Sequence, residues 1–101
     1  MKYIKLGAVR AFPRVAPDKV QALKVLEEAA EVVEALKQRD PRDETHIGYA
    51  TATVLDEIAD TIQACCNLAA ALGVEDLTPY LARCEERNRE RGRYDKEQRC
   101  K

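Results

Sequence analysis

The chain has 101 residues, of which 46% are hydrophobic and 35% charged, with 17 basic against 18 acidic side chains. Its length fits one compact domain, and its hydrophobic fraction excludes an intrinsically disordered chain. The net charge of -1 gives no general attraction to nucleic acid or to an anionic membrane, so we expect neither as a partner. No targeting signal is visible and no apolar run approaches the ~20 residues of a membrane span, so a cytoplasmic protein is expected.

Residues 1–17 are predicted to form an irregular N-terminal segment, because Pro13 and Pro17 interrupt it. The stretch "KYIKL" alternates like a short strand, but the sequence offers no second strand with which it could pair. We therefore expect the segment to pack against a neighbouring element. Asp18 is a good N-cap for the first clear helix, which is predicted to extend to about residue 38.

Hydrophobic side chains fill one broad side of this first helix, and charged side chains share the other. The apolar set is Leu23, Val25, Leu26, Ala29, Ala30, Val32, Val33 and Leu36. The charged set is Lys24, Glu27, Glu28 and Glu31. Like charges at these helical spacings repel by about 0.2–0.5 kcal/mol per pair, and Lys24 offsets only part of this. A solvated acidic face is the simple interpretation of this helix taken alone, but its local cost suggests that something else maintains the cluster.

Two further helices are predicted. The second runs from about residue 49 to residue 72, and the third is capped by Asp76 or Thr78 and ends by Gly92. Residues 95–101 are expected to be a mobile tail.

The expected fold class is all-α, because no region shows strand pairs with hairpin turns. Helices this long and this few should form an antiparallel bundle within a single domain that spans residues 1–101. A chain of this size buries only a modest core, so a second copy would add stability.

The chain contains Cys65, Cys66, Cys84 and Cys100. The adjacent pair diverges by ~100° on a helix, which disfavours a disulfide. No C-x-x-C motif occurs and His46 is the only histidine, so a zinc site is not expected. The first three cysteines are interpreted as small core residues in a reducing compartment, and Cys100 as an exposed thiol.

The second helix is apolar nearly all round, yet it carries Asp56, Glu57 and Asp60. Glu57 and Asp60 share a stripe with small residues, which indicates that they face another helix. An ionised carboxylate removed from water costs several kcal/mol unless it is paired, and this helix has no basic residue. A half-exposed polar seam is the alternative interpretation.

The two helices together favour a metal site. Each offers two carboxylates at i, i+3, namely Glu28 with Glu31 and Glu57 with Asp60. If these pairs face each other across antiparallel helices, the four groups stay ionised only around a cation. Oxygen ligands without histidine or cysteine suit Mg²⁺, or Mn²⁺. A di-iron carboxylate bundle is a weaker rival, because it needs Glu-x-x-His pairs and His46 lies in none.

Three motifs carry a resemblance to a known family. "EEAAE" at 27–31 and "EIAD" at 57–60 resemble the E-E-x-x-E and E-x-x-D signature of MazG-like nucleotide pyrophosphohydrolases, an all-α superfamily. "RNRERGRY" at 87–94 is similar to the C-terminal motif of that family. The resemblance covers about residues 18–94.

The resemblance implies Mg²⁺-dependent hydrolysis of a nucleoside triphosphate to the monophosphate and pyrophosphate. Glu28, Glu31, Glu57 and Asp60 match the metal ligands of the family. Glu27 and Glu28 match its catalytic positions, with Glu27 as an outer ligand or as the base that orients water. Family members are homodimers or homotetramers, in which helices of the partner complete the bundle.

Lys24 lies one turn before Glu28 and is placed to meet a phosphate. Asn88, Arg91 and Tyr94 match the family motif that contacts substrate phosphate or sugar. A solvated helix of mixed charge is the alternative explanation for this C-terminal region.

The chain departs from the family in two respects. Ala29 and Ala30 stand where many members have glycine. The chain has no tryptophan, so the candidates to stack on a base are Phe12, Tyr49, Tyr80 and Tyr94. Base preference therefore stays open. A non-catalytic module that senses nucleotides or binds another protein is the alternative function.

Overall fold

The computed structural model describes residues 2–39 and 48–95. It contains three helices, α1 (Lys19–Gln38), α2 (Tyr49–Ala71) and α3 (Thr78–Glu90). The described ranges contain no strand, and residues 2–18 are irregular, so the all-α prediction is confirmed. The positions of His46, Cys100 and most of the predicted mobile tail lie outside the described residues. No helix in these ranges is both long and apolar enough to cross a bilayer.

The first helix begins as its sequence predicts. The Asp18 carboxylate accepts a hydrogen bond from the backbone N–H of Gln21 at 3.1 Å, which satisfies one of the free donors of the first turn. At the other end, the guanidinium Nε of Arg39 donates to the hydroxyl of Thr51 at 2.8 Å. The end of α1 is thereby held beside the start of α2, so the two helices run in opposite directions.

The turn between α2 and α3 depends on a glycine. Gly73 has φ +84°, a left-handed conformation that a residue with a Cβ adopts only with strain. After the turn, the backbone N–H of Thr78 donates to the carboxylate of Asp76 at 2.9 Å. Pro79 then fits the first turn of α3, where a missing N–H costs nothing.

The interface between α1 and α2 has a small core. Its buried hydrophobic residues are Val54 and Ala64, both on α2, and α1 has no fully buried residue. The half-buried stripe of α1 consists of Gln21, Val25, Glu28, Ala29, Val32 and Ala35. This spacing turns one narrow side of α1 towards α2, and Glu28 belongs to that side.

The rest of the predicted apolar side of α1 is not covered by any other described residue. Leu26 is 66% exposed, and Leu23, Val33 and Leu36 are also exposed. The expectation that Cys65 and Cys84 are core residues is likewise wrong, because both thiols are exposed while Cys66 is half-buried. The reason is common to all of these exposed residues, because no element in the described ranges covers the surfaces on which they lie.

The irregular N-terminal segment is fixed to α2 by amides. The backbone N–H of Phe12 donates to the side-chain oxygen of Asn67 at 3.0 Å, and the side-chain amide of Gln63 donates to the carbonyl of Arg10 at 2.9 Å. Asn67 is only 5% exposed, which makes it the buried polar residue of the described chain. The segment therefore packs on a neighbouring helix, as its sequence predicts.

The third helix stands apart from the other two. Across the described residues, α3 packs against neither α1 nor α2, and it has no buried residue. Leu81 is 54% exposed and borders a groove of about 550 Å³ between α3, α2 and the N-terminal segment. The described residues thus form a helix pair, α1 with α2, and a separate helix, α3. The antiparallel bundle predicted from the sequence is therefore limited to α1 and α2 among these residues.

Candidate metal centre

Three carboxylates from two helices meet at one point. Glu28 and Glu31 of α1 and Glu57 of α2 each place an oxygen so that the three oxygens lie within 4.8 Å of one another. Glu28 and Glu31 project from the same side of α1 because they are separated by i, i+3. The antiparallel pairing of the helices brings Glu57 opposite them.

One oxygen of this cluster has no hydrogen-bond partner. Oε2 of Glu57 is buried, and no donor in the described part of the chain reaches it. Ionised carboxylates only accept hydrogen bonds, so neighbouring Glu31 and Glu28 offer it nothing. Only a shared proton or a bound cation satisfies such an arrangement.

The cluster raises the pKa of two of its members. Desolvation is the main cause of the raised pKa of Glu28, followed by the charge of Glu31 and a hydrogen bond with it. Desolvation also comes first for the raised pKa of Glu57, followed by a hydrogen bond with Glu31 and by its charge. That hydrogen bond exists only while one carboxyl of the pair is protonated. Without a cation, the site therefore favours bound protons.

Asp60 lies near this centre but outside its tightest part. It is exposed, and it lines a cavity of about 350 Å³ together with Glu28 and Lys24. Its negative charge contributes to the raised pKa values of Glu28 and Glu57. The structure thus brings three of the four proposed ligands together and leaves Asp60 at the rim of the cavity.

Lys24 and Glu27 form an exposed ion pair beside the cluster. The Lys24 ammonium lies 3.6 Å from a Glu27 oxygen, and both side chains are more than half exposed. Glu27 is therefore not among the three converging carboxylates. Lys24 lines the same cavity as Glu28 and Asp60.

The C-terminal candidates lie on a different element. Asn88 is on α3, where its amide contacts the Cys84 sulfur at 3.6 Å, Arg91 is the C-cap of that helix, and Tyr94 follows it. Since α3 packs against neither α1 nor α2 in the described chain, one copy does not bring these residues to the carboxylates.

Two polar residues near the site were missed by sequence reasoning. Gln63 and Asn67 line the cavity that contains Asp60, and the Gln63 amide donates to the Asn67 side chain at 3.0 Å. Their signal is present in the sequence, since both are amides at i, i+4 in the most apolar part of α2. They form a polar continuation of the carboxylate stripe.

The donor set fits a hard divalent cation. Its members are all carboxylate oxygens, with no described histidine or thiol among them, which is the ligand chemistry of Mg²⁺ and Mn²⁺ rather than of zinc. The orphaned oxygen of Glu57 supplies a ligand already removed from water. Fold and site together define an all-α protein in which two facing helices bring three carboxylates together in an arrangement that fits a divalent cation.

The family can then be stated. The model of the phosphoribosyl-ATP pyrophosphohydrolase family matches residues 9–88, and the chain belongs to that family. It falls within the MazG-like all-α superfamily that the motifs resemble. Membership implies a pyrophosphohydrolase, a hydrolase that acts on phosphoanhydride bonds. Comparison with curated proteins and with solved structures gave no match.

We expect Mg²⁺ to stabilise the protein in a pH-dependent way. In EDTA, the raised pKa values of Glu28 and Glu57 mean that the folded chain binds more protons than the unfolded chain above the ordinary value of 4.5. The free energy of unfolding in EDTA then falls as the pH rises from about 4.5 through the raised pKa values of the two glutamates, and it stays low above them. Mg²⁺ at about 100 times its Kd should add roughly 2.7 kcal/mol to the free energy of unfolding at pH 8.

At pH 5, protons compete for the same oxygens, so the Mg²⁺-induced rise in Tm should be much smaller. Thermal unfolding in Mg²⁺ and in EDTA with sodium chloride of matched ionic strength measures both effects. Equal Mg²⁺-induced shifts at pH 5 and pH 8 would contradict binding at these carboxylates.

Proposed function

We propose that this chain is a Mg²⁺-dependent pyrophosphohydrolase that converts a nucleoside triphosphate to the monophosphate and pyrophosphate. The observation that carries the proposal is the buried, unpartnered oxygen of Glu57 beside two further carboxylates, in a chain of a pyrophosphohydrolase family. Phosphoribosyl-ATP, the substrate in the family description, is itself a substituted nucleoside triphosphate. It is therefore the first substrate to test, with Mn²⁺ as the alternative cation.

In this proposal Glu28, Glu31, Glu57 and Asp60 hold the cation, and Glu27 orients the attacking water. When bound, the cation neutralises triphosphate charge, polarises the attacked phosphorus and lowers the pKa of a bound water. Four carboxylates would otherwise repel a polyphosphate, and Lys24 beside them attracts it. Positioning and charge neutralisation supply most of the rate in such phosphoryl chemistry.

We propose a second copy of the chain as the partner of α3. An isolated helix of 13 residues is marginal in water, yet α3 packs against neither other helix of the described chain. Its apolar side and the adjacent groove are both open, and the exposed leucines of α1 extend the uncovered surface. A homodimer or homotetramer covers these surfaces and brings Asn88, Arg91 and Tyr94 of one copy towards the carboxylates of another.

We place the protein in the cytoplasm, where the free thiols of Cys65, Cys66 and Cys84 stay reduced.

A pyrophosphate-release screen tests the enzymatic proposal. Purified protein is incubated with Mg²⁺ and with phosphoribosyl-ATP or each common and modified (d)NTP. We expect stoichiometric pyrophosphate and monophosphate from at least one substrate, and no release in EDTA. A folded protein that is inert towards every substrate overturns the proposal. Ligand-induced thermal stabilisation without turnover would instead identify a nucleotide-sensing module.

A further inference from the structure

The cavity beside the carboxylates has two chemically different ends, because Asp60 and Asn67 of its lining lie seven residues apart on α2, about 10 Å at 1.5 Å per residue. Glu28 is close enough to Asp60 to feel its charge, and Phe12 and Gln63 are hydrogen-bonded to Asn67. The volume of the cavity, about 350 Å³, lies within the range of small-molecule sites, ~300–1,000 Å³. Glu28 belongs both to this cavity and to the converging carboxylates, so the two spaces adjoin.

The backbone fixes the orientation of both amides at the second end. The side-chain atom of Asn67 that faces Phe12 must be its oxygen, because it accepts a hydrogen bond from the backbone N–H of Phe12, which can only donate. The side-chain atom of Gln63 that faces Arg10 must be its nitrogen, because it donates a hydrogen bond to the backbone carbonyl of Arg10, which can only accept. That nitrogen also donates to the Asn67 oxygen, which completes the network.

This network leaves one donor and one acceptor unused. The Nδ2 amide of Asn67 and the Oε1 oxygen of Gln63 have no partner among residues 2–39 and 48–95. Asn67 is only 5% exposed and lines the cavity, so its unpaired amide is available to a group that binds there. A nucleobase edge, with donors and acceptors side by side, is chemically complementary to such a pair.

Phe12 adds an aromatic surface at the same end. It lines the cavity and is 57% exposed, although its backbone is held by Asn67. An exposed phenylalanine with a fixed backbone is suited to stacking against a base, and base–aromatic stacking tolerates any base. The acidic end of the cavity repels bare phosphate oxygens. It suits phosphates whose negative charge is neutralised by a bound cation.

We propose that this cavity is the nucleobase-binding site, with Phe12 stacking on the base and the Gln63–Asn67 amide pair contacting its edge. The proposal rests on the function given above, because it assumes that a nucleotide places its phosphates at the carboxylates. It assigns the base to the N-terminal segment and α2 of the same copy.

Calorimetric titration of the full chain in Mg²⁺ tests this assignment. The probes are AMP, GMP, CMP and UMP, with ribose 5-phosphate as the probe that lacks a base. We expect at least one monophosphate to bind more tightly than ribose 5-phosphate. Phe12→Ala should weaken that binding about tenfold and leave ribose 5-phosphate binding unchanged. Phe12→Trp should restore it.

Tyr3→Ala is the matched control, since Tyr3 is an exposed aromatic residue of the same segment that does not line the cavity. Its titrations should equal those of the unaltered protein. The assignment is overturned if no monophosphate binds more tightly than ribose 5-phosphate, or if Phe12→Ala weakens both probes equally. These titrations measure binding and not turnover. Base-dependent binding without any pyrophosphate release would therefore contradict the enzymatic proposal and leave the base-binding proposal standing.

Discussion

Glu57→Gln is expected to reduce pyrophosphate release by at least about 100-fold, since loss of a residue that merely supports a metal ligand already costs 10–100-fold. The substitution keeps the size of the side chain but removes the charge and one strong oxygen ligand at the centre of the cluster. Steady-state pyrophosphate release on the best substrate, with Mg²⁺ varied, measures the effect. We expect kcat to fall even at saturating Mg²⁺.

The same substitution should not damage the fold. In EDTA the glutamine removes a buried, unpaired charge and offers N–H donors to Glu28 and Glu31, so Tm should rise by a few degrees at neutral pH. The Mg²⁺-dependent rise in Tm should disappear. If Glu57→Gln is inactive but has a higher Tm in EDTA than the unaltered chain, Glu57 is required for function and not for folding.

Asp56→Asn supplies the matched control on the same helix. Asp56 is an exposed carboxylate next to Glu57 in sequence, and it is not one of the three converging groups. The variant should keep the activity and the Mg²⁺ response of the unaltered chain. If Asp56→Asn and Glu57→Gln lower activity equally, net charge rather than metal ligation explains the loss.

The meeting of the carboxylates could be predicted because each step of the inference is local. Helical spacing places Glu28 and Glu31 on one side of α1, and the cost of burying Glu57 on a helix without basic residues predicts a partner across the interface. Antiparallel pairing of the two consecutive helices then brings Glu57 opposite Glu28 and Glu31. The N-cap at Asp18 and the stop at Gly73 are local signals of the same kind.

Other features depend on contacts that a linear pattern does not contain. The bond from the Phe12 backbone to Asn67 joins residues 55 positions apart, so no periodicity indicates it. Leu26 has the pattern of a core residue, yet it is 66% exposed, because no element among residues 2–39 and 48–95 covers it. Sequence predicts that a face is apolar, but it does not identify the neighbour that buries it.

The uncovered side of α3 leads to the second large effect. Leu81→Arg is expected to convert the proposed homo-oligomer to monomers and to destabilise α3. Leu81 is 54% exposed in one copy and borders the open groove, so a second copy would bury it. Burial of a leucine contributes about 1.5–3 kcal/mol, and a symmetric dimer loses this twice.

Sedimentation velocity at micromolar concentration measures the assembly, and circular dichroism measures the helix content. The variant should sediment as a monomer with reduced helicity, because a 13-residue helix without a partner is marginal. Ala82→Arg is the control, since Ala82 is exposed and lies about 100° round the helix from Leu81, next to the charged side that contains Glu86. It should leave the assembly intact. If Leu81→Arg sediments like the unaltered protein, this side of α3 is not the contact between copies.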